Sequence, residues 1–148
     1  MERNVNGFPK IKLIAVDKVK KTWIREGIEL YLKRLPELEI IEIKDSNPEK
    51  EGEQILTMLK PDWWAIALTE EGKLFSSVQF ANFLSQADSN HLVFIIGSAE
   101  GLSPKLKQAA TQQIALSPLT FPHEIARLLL VEQLYRAKTI LQGSSYHK

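Results

Sequence analysis

The sequence predicts an α/β fold: a mostly parallel sheet with helices on both faces. Two observations lead there. Short β-rich runs alternate with helix-periodic segments from Ile11 to Leu141. Two of the runs, WAIALT and HLVFII, are nearly continuous in apolar residues, as strands covered on both faces are. The 148 residues show no internal repeat, low-complexity segment or interdomain linker. They fit one domain with a sizeable core, expected over 11–148. Residues 1–10 lack a signal-peptide core and read as a loose extension.

Each element has its own signal. Ile11 to Val16 (IKLIAV) is the first strand. Thr22 to Leu35 is helical, with Trp23, Ile24, Ile28, Tyr31, Leu32 and Leu35 spaced at three and four, and Pro36 stops it. Leu38 to Lys44 (LEIIEIK) alternates charge, so it belongs near a sheet edge. Asp45 to Pro48 turns and starts a helix over 49–60. Trp64 to Thr69 is a buried strand, which Glu70-Glu71-Gly72-Lys73 turns. Ser76 or Ser77 caps a helix through Ala87. His91 to Ile96 is the most apolar strand, and His91 reads as structural. Ser103-Pro104 starts a short helix to Ala110. Ile114 to Leu116 is a last short strand, and Glu124 to Leu141 the longest helix.

Composition narrows the function. Nineteen Lys and Arg against 18 Asp and Glu leave a formal net charge of +1, so overall charge does not mark a nucleic-acid binder. Zero cysteines exclude disulfides and cysteine zinc sites and fit a reducing compartment. No apolar run approaches the ~20 residues of a membrane span, and a cytoplasmic location is expected. The three histidines are dispersed, with no metal-ligand spacing, so no metal is expected.

Ligands of such sheets bind at the carboxyl ends of strands. Three ends are chemically distinctive: Leu68-Thr69, Gly97-Ser98, and Leu116 to Phe121. Gly97 and Gly101 match neither G-x-G-x-x-G nor a P-loop, and Ser98 is not centred as in G-x-S-x-G. Dinucleotide, nucleoside-triphosphate and hydrolase readings therefore fail on spacing. The segment Ser117-Pro118-Leu119-Thr120-Phe121-Pro122 is stiff and apolar, suited to an adenine read by backbone groups; it is equally a proline-rich connection. Glu132 and Arg136 stand at i,i+4 on the long helix. They form a surface pair, or Glu132 holds Arg136 towards an anionic substrate. His123 enters or caps that helix, or serves as a base. His147 has no core role and gains interest only if the tail folds back. The helix is apolar enough to need more than one covered face, so a dimer contact through it is expected.

An ordered set of segments then resembles one family. It comprises Ile11 to Val16; Tyr31-Leu32-Lys33-Arg34; Glu51-Gly52-Glu53-Gln54-Ile55-Leu56; Leu68 before Gly72-Lys73; Phe94-Ile95-Ile96-Gly97 with Glu100-Gly101-Leu102; Leu119 to His123; Arg127; Glu132 to Ala137; and Tyr146-His147-Lys148. Residues 11–148 resemble the RlmH (YbeA-like) methyltransferases of the SPOUT class. The resemblance implies a C-terminal trefoil knot, a homodimer and S-adenosyl-L-methionine as methyl donor. It implies methylation of N3 of a pseudouridine in helix 69 of large-subunit (23S) rRNA, on assembled ribosomes.

By position, it assigns the cofactor pocket to Leu68, Gly97, Leu116, Ser117, Pro118, Leu119, Thr120 and Phe121. Arg136, His147 and Lys148 fall on the substrate side, with His123 and Arg127 as neighbours, and the tail completes the partner's site. His147 is then the candidate base or a positioning group. The chain departs from the family pattern in a shorter loop around Ser46 to Pro48, in Lys148 where some members have Arg, and at two glycine positions. Ser98 stands where members commonly have a second glycine, and Asp17 where the first strand usually ends in one. An unusual φ at Ser98 would be costlier than at glycine, and Asp17 adds a negative charge. Two alternatives stay open: a non-catalytic RNA- or ribosome-binding protein of the same fold, and a SPOUT methyltransferase with another RNA target.

Overall fold

The computed structural model describes residues 8–87 and 91–148. Five strands form one parallel sheet: β1 (Ile11–Val16), β2 (Leu38–Ile43), β3 (Trp64–Leu74), β4 (Leu92–Ile96) and β5 (Gln112–Ala115). Their order is β2-β1-β4-β3-β5. The charged β2 lies at an edge, as its alternation predicts, and the apolar β4 lies at the centre. The helices are α1 (Thr22–Leu32), α2 (Pro48–Met58), α3 (Ser77–Gln86), α4 (Pro104–Ala109) and α5 (His123–Leu141).

Both faces of the sheet are buried. On one face Leu13, Ile66 and Phe94 join Ile24 and Ile28 of α1, Phe80 and Leu84 of α3, and Leu130, Val131 and Leu134 of α5. On the other, Ile14, Val93 and Ile95 meet Ile55 of α2 and Leu106 of α4. Neighbouring residues of β4 thus enter opposite cores, the period-two rule with no wet side. Burying a side chain such as Phe94 contributes about 1.5–3 kcal/mol.

Local signals set the helix ends. The Asn47 side chain accepts from the Lys50 amide at 2.9 Å, with Pro48 in the first turn of α2. Ser76 caps α3 in a reciprocal box: Oγ accepts from the Gln79 amide at 3.1 Å, and Gln79 Oε1 accepts from the Ser76 amide at 2.9 Å. Ser103 Oγ accepts from the Leu106 amide at 3.2 Å and starts α4. The first helix stops at Leu32 rather than Leu35. A turn with Leu35 N–H donating to Leu32 O at 3.1 Å then carries Leu35 into the core.

Three expectations change. Residues 70–73 do not turn the chain; β3 continues to Leu74 with a register shift between Leu68 and Lys73. The reason is Gly72: a Cβ there would lie 2.6 Å from backbone atoms of Ile114. This glycine serves close backbone approach and not a turn. Its partner β5 accordingly begins at Gln112, two residues before the apolar signal. The loose extension expected over 1–10 is narrowed, because Phe8 is buried in the α1-side core; residues 1–7 lie outside the described residues.

Candidate active site

The carboxyl ends of β3, β4 and β5 open into one cleft of about 350 Å³. That is within the ~300–1,000 Å³ typical of small-ligand sites. Leu68 lines it from β3, Gly97 from the end of β4, and Leu116, Ser117, Leu119, Thr120 and Phe121 from the segment after β5. Pro118 is not among the lining residues. Ser98 to Leu102 also contribute, as do Thr69, Glu70, Glu71, Lys107, His123 and Ala126. Sequence patterning had no signal for Lys107, which comes from α4 and binds Glu71 at 2.7 Å. That ammonium lowers the Glu71 carboxyl pKa.

The glycine turn explains its own residues. A Cβ on Gly97 would meet Gly101 O at 2.7 Å and the Leu102 side chain at 2.9 Å. Only glycine fits where the turn folds back on itself. Gly101 is needed for a different reason, its φ of +81°. Ser98 needs neither exemption, since among the described residues only Asp17 has a positive φ outside glycine. Its carbonyl accepts from Gly101 N–H at 2.9 Å and its Oγ faces Glu100 N–H at 3.3 Å. The serine hydroxyl therefore braces the turn from within.

The cleft suits a ligand with an apolar body and a cationic end. Leu68, Leu116, Phe121 and the 69%-exposed Leu119 supply apolar wall. Glu70 and Glu100 supply negative charge, and neither pairs with a cation among the described residues. Such a donor set matches a sulfonium with an adenosyl group better than a polyphosphate.

A second cluster lies on the C-terminal half of α5. Arg136 donates to Glu132 Oε2 through Nη2 at 2.8 Å and Nε at 3.2 Å. Glu132 Oε2 also accepts from the Tyr146 hydroxyl at 2.9 Å. The Arg136 guanidinium stacks over the Tyr146 ring at 4.9 Å, and Tyr135 meets the same ring edge-on at 4.9 Å. The Tyr31 and Tyr146 hydroxyls approach to 3.5 Å. The Tyr146 phenol pKa is raised, first by the Tyr31 hydroxyl, then by burial, then by Glu132. Arg136 is raised further above its ordinary value by Glu132. Both groups hold their protons across the neutral range.

His147 has folded back into this cluster, with Nδ1 3.0 Å from Arg136 Nη1. A guanidinium only donates, so Nδ1 accepts and Nε2 carries the imidazole proton. In this arrangement His147 offers an N–H and not a free lone pair. Lys148 is exposed beyond it. The surface i,i+4 pair is thus the base of a six-residue assembly of Tyr31, Glu132, Tyr135, Arg136, Tyr146 and His147.

Two neighbours land elsewhere. His123 opens α5 and lines the cleft, not the tail cluster. Arg127 is only 2% exposed and faces inward. It binds Glu42 of β2 and donates through Nη2 to Asp17 O at 2.8 Å. Its carbonyl partner sits in the left-handed region, at φ +75°, where aspartate is among the better tolerated residues after glycine. Arg127 therefore ties the turn after β1 to α5 and does not face a substrate.

The two sites stand apart. Along α5 the nearest members, Ala126 of the cleft and Glu132 of the cluster, are six residues apart, roughly 9 Å at ~1.5 Å per residue. Among the described residues no group of three or more His, Asp or Glu is placed to hold a metal. No described helix is long and apolar enough to cross a membrane.

Curated sequences named "Ribosomal RNA large subunit methyltransferase H" match from Synechococcus sp. (strain CC9311), 52% identical over 139 residues, covering 94% of this chain and 96% of the relative. One from Parasynechococcus marenigrum (strain WH8102) is 54% identical with the same coverage. One from Prochlorococcus marinus (strain NATL2A) is 54% identical over 137 residues, 93% of this chain and 94% of the relative. The solved structure of "a probable methylase family protein" from Haemophilus influenzae Rd KW20 has the same fold, with a TM-score of 0.59 at 10% identity. It covers 96% of this chain and 72% of that one. The family described as "Predicted SPOUT methyltransferase" matches residues 10–147. With the cleft at the carboxyl ends of β3, β4 and β5 and that match over nearly its whole length, the chain belongs to the SPOUT methyltransferase family.

Proposed function

We propose that this protein methylates N3 of a pseudouridine in helix 69 of 23S rRNA, using S-adenosyl-L-methionine, on assembled ribosomes in the cytoplasm. The observation that carries the reading is the gathering of three strand-end segments into one cleft with an apolar wall and two carboxylates, Glu70 and Glu100, that pair with no cation among the described residues. The names of relatives sharing over half of the sequence support the rRNA substrate.

Bound S-adenosyl-L-methionine supplies an electrophilic methyl group. Leu68, Gly97, Leu116, Ser117, Leu119, Thr120 and Phe121 would hold its adenosyl body, with Leu119 and Phe121 excluding water. Glu70 and Glu100 would offset the charge of its cationic end. The target N3 is weakly acidic and develops negative charge as its proton leaves. Arg136, held rigid by Glu132 and Tyr146, stabilises that charge or binds the adjoining phosphate. His147 orients the base through its Nε2–H, and accepts the proton only after Arg136 releases Nδ1. Lys148 adds a mobile positive charge. A second copy of the chain, whose tail enters the first copy's site, completes it. A homodimer of this kind, with a trefoil knot around the 116–122 segment, completes the reading.

The test is methyl transfer to ribosomes lacking the modification, followed by mapping of the modified nucleotide. Radiolabel at N3 of a helix 69 pseudouridine is expected. Label elsewhere in RNA would assign another target. Absence of S-adenosyl-L-methionine binding by calorimetry would favour a non-catalytic RNA-binding protein.

A further inference from the structure

The amino ends of β1, β3 and β4 carry a second concave site, opposite the cleft. Lys10, Lys12, Lys60, Trp63 and His91 gather there around a cavity of about 420 Å³. Strands of five or six residues separate the two ends by roughly 17–20 Å. The Trp63 ring is the centre of the cluster. Lys12 Nζ lies 4.8 Å and Lys60 Nζ 5.5 Å from its centroid, and the His91 ring is 5.7 Å away.

Trp63 packs, half-buried, against the α2-side core, while the lysines and the His91 ring belong to neither core. His91 was expected to be structural, yet it is exposed and contributes only its carbonyl to the sheet, accepting from Trp64 N–H at 2.8 Å. Lys12 pairs in register with Glu39 on β2. It forms no salt bridge there and turns its ammonium over Trp63 instead. Glu37, on the same rim, is already occupied by Lys138 at 2.9 Å. Three lysines therefore face one exposed carboxylate, Glu39, across the cavity.

A basic rim around an aromatic floor is the chemistry that recognises a single-stranded nucleic acid. The formal charge of +1 makes its location informative. An RNA-directed protein with so little net charge must concentrate its cations, because phosphate contacts supply much of the affinity. Resting on the rRNA reading above, we propose that the Trp63 cavity is a second RNA-contact site, taking an unpaired nucleotide on the face opposite the methyl-transfer cleft. A lysine ammonium leaves the ring face for a phosphate, and the base takes its place against Trp63 and His91.

The test uses the full-length protein and a fluorescein-labelled ten-nucleotide single-stranded RNA. Anisotropy across a salt series is read for wild type, Lys12→Gln/Lys60→Gln and Trp63→Leu. The double lysine variant alters partly or fully exposed side chains, so it stays informative if Trp63→Leu fails to fold. It is expected to bind about tenfold more weakly, with the salt slope reduced by about 1.4, near 0.7 per lost single-strand contact. Its KM for ribosomes rises by a similar factor, while kcat and S-adenosyl-L-methionine affinity stay unchanged. Unchanged RNA affinity and slope overturn the proposal. Weakened ribosome methylation with intact RNA affinity also overturns it and points to a ribosomal protein as the occupant. If these variants match wild type while ribosome methylation proceeds, this site fails alone. If wild type neither binds RNA nor methylates ribosomes, the proposed function fails with it.

Discussion

The cleft and the tail cluster are built by opposite means. The cleft is mostly backbone and small or apolar side chains, shaped by what Gly97 and Gly101 leave out. The tail cluster is side chains throughout, locked by charge-assisted hydrogen bonds and ring contacts. The first is open and suited to receive a ligand. The second is already assembled and suited to present fixed polar groups. One is sensitive to an added methyl, the other to a removed heteroatom.

Paired substitutions sharpen that contrast most. His147→Ala is expected to lower turnover by about a hundredfold, the low end of what a positioned acid–base group contributes, without changing cofactor affinity. Gly97→Ala should weaken cofactor binding by roughly 5- to 150-fold, from ~1–3 kcal/mol of overpacking. Mixing the two inactive proteins after unfolding and refolding should restore about a quarter of wild-type activity, if each site combines one chain's cleft with the other's tail. Single-turnover methylation reads all three. No recovery on mixing would place both halves of the site in one chain and break the comparison as drawn.

Tyr146→Phe probes the cluster alone. It should cost about 0.5–1.5 kcal/mol, the worth of one hydrogen bond, measured by urea denaturation at neutral pH. The sign of its pH dependence follows from the raised phenol. Folding favours the protonated form, so this stabilisation is complete below the ordinary phenol range near ~10 and fades as pH rises through the higher folded value. Ultraviolet titration should find one of the three tyrosines ionising above the others. The Phe variant should lose that late step; an unaltered titration would remove Tyr146 from the hydrogen-bonded centre.

The smallest effect is expected at Ser98→Gly. The serine is unstrained, so cofactor affinity should stay within about twofold. A large gain by calorimetry would mean that the serine side chain obstructs the ligand.

Legibility in the sequence varied with the kind of signal. Caps and apolar runs are local, so Asn47, Ser76 and Ser103 mark their helices and β4 stands at the sheet centre as its composition predicts. Gly72 misleads because a glycine that turns a chain and one that admits a neighbouring backbone look alike. Gln112 and Gln113 hide the start of β5, since an edge strand needs few apolar residues. The i,i+4 spacing of Glu132 and Arg136 is visible in the sequence, but nothing in it joins Tyr31 to Tyr146. The carboxyl ends of the strands pointed to the cleft residues and the family order agreed with them, but that order placed Arg127 beside a substrate where the fold buries it against Glu42.

By itself the amino-acid order determined the alternation of elements, their caps, the covered sheet and the failure of phosphate-loop and hydrolase spacings. These depend on neighbours within a few residues. The tertiary structure decided which strand ends share a cleft, which cations are spent inside the protein, and how far the tail lies from the pocket. Those outcomes depend on strand order and on contacts between residues up to 115 apart in the chain, such as Tyr31 and Tyr146. Close packing selects among such contacts only when the whole core forms at once.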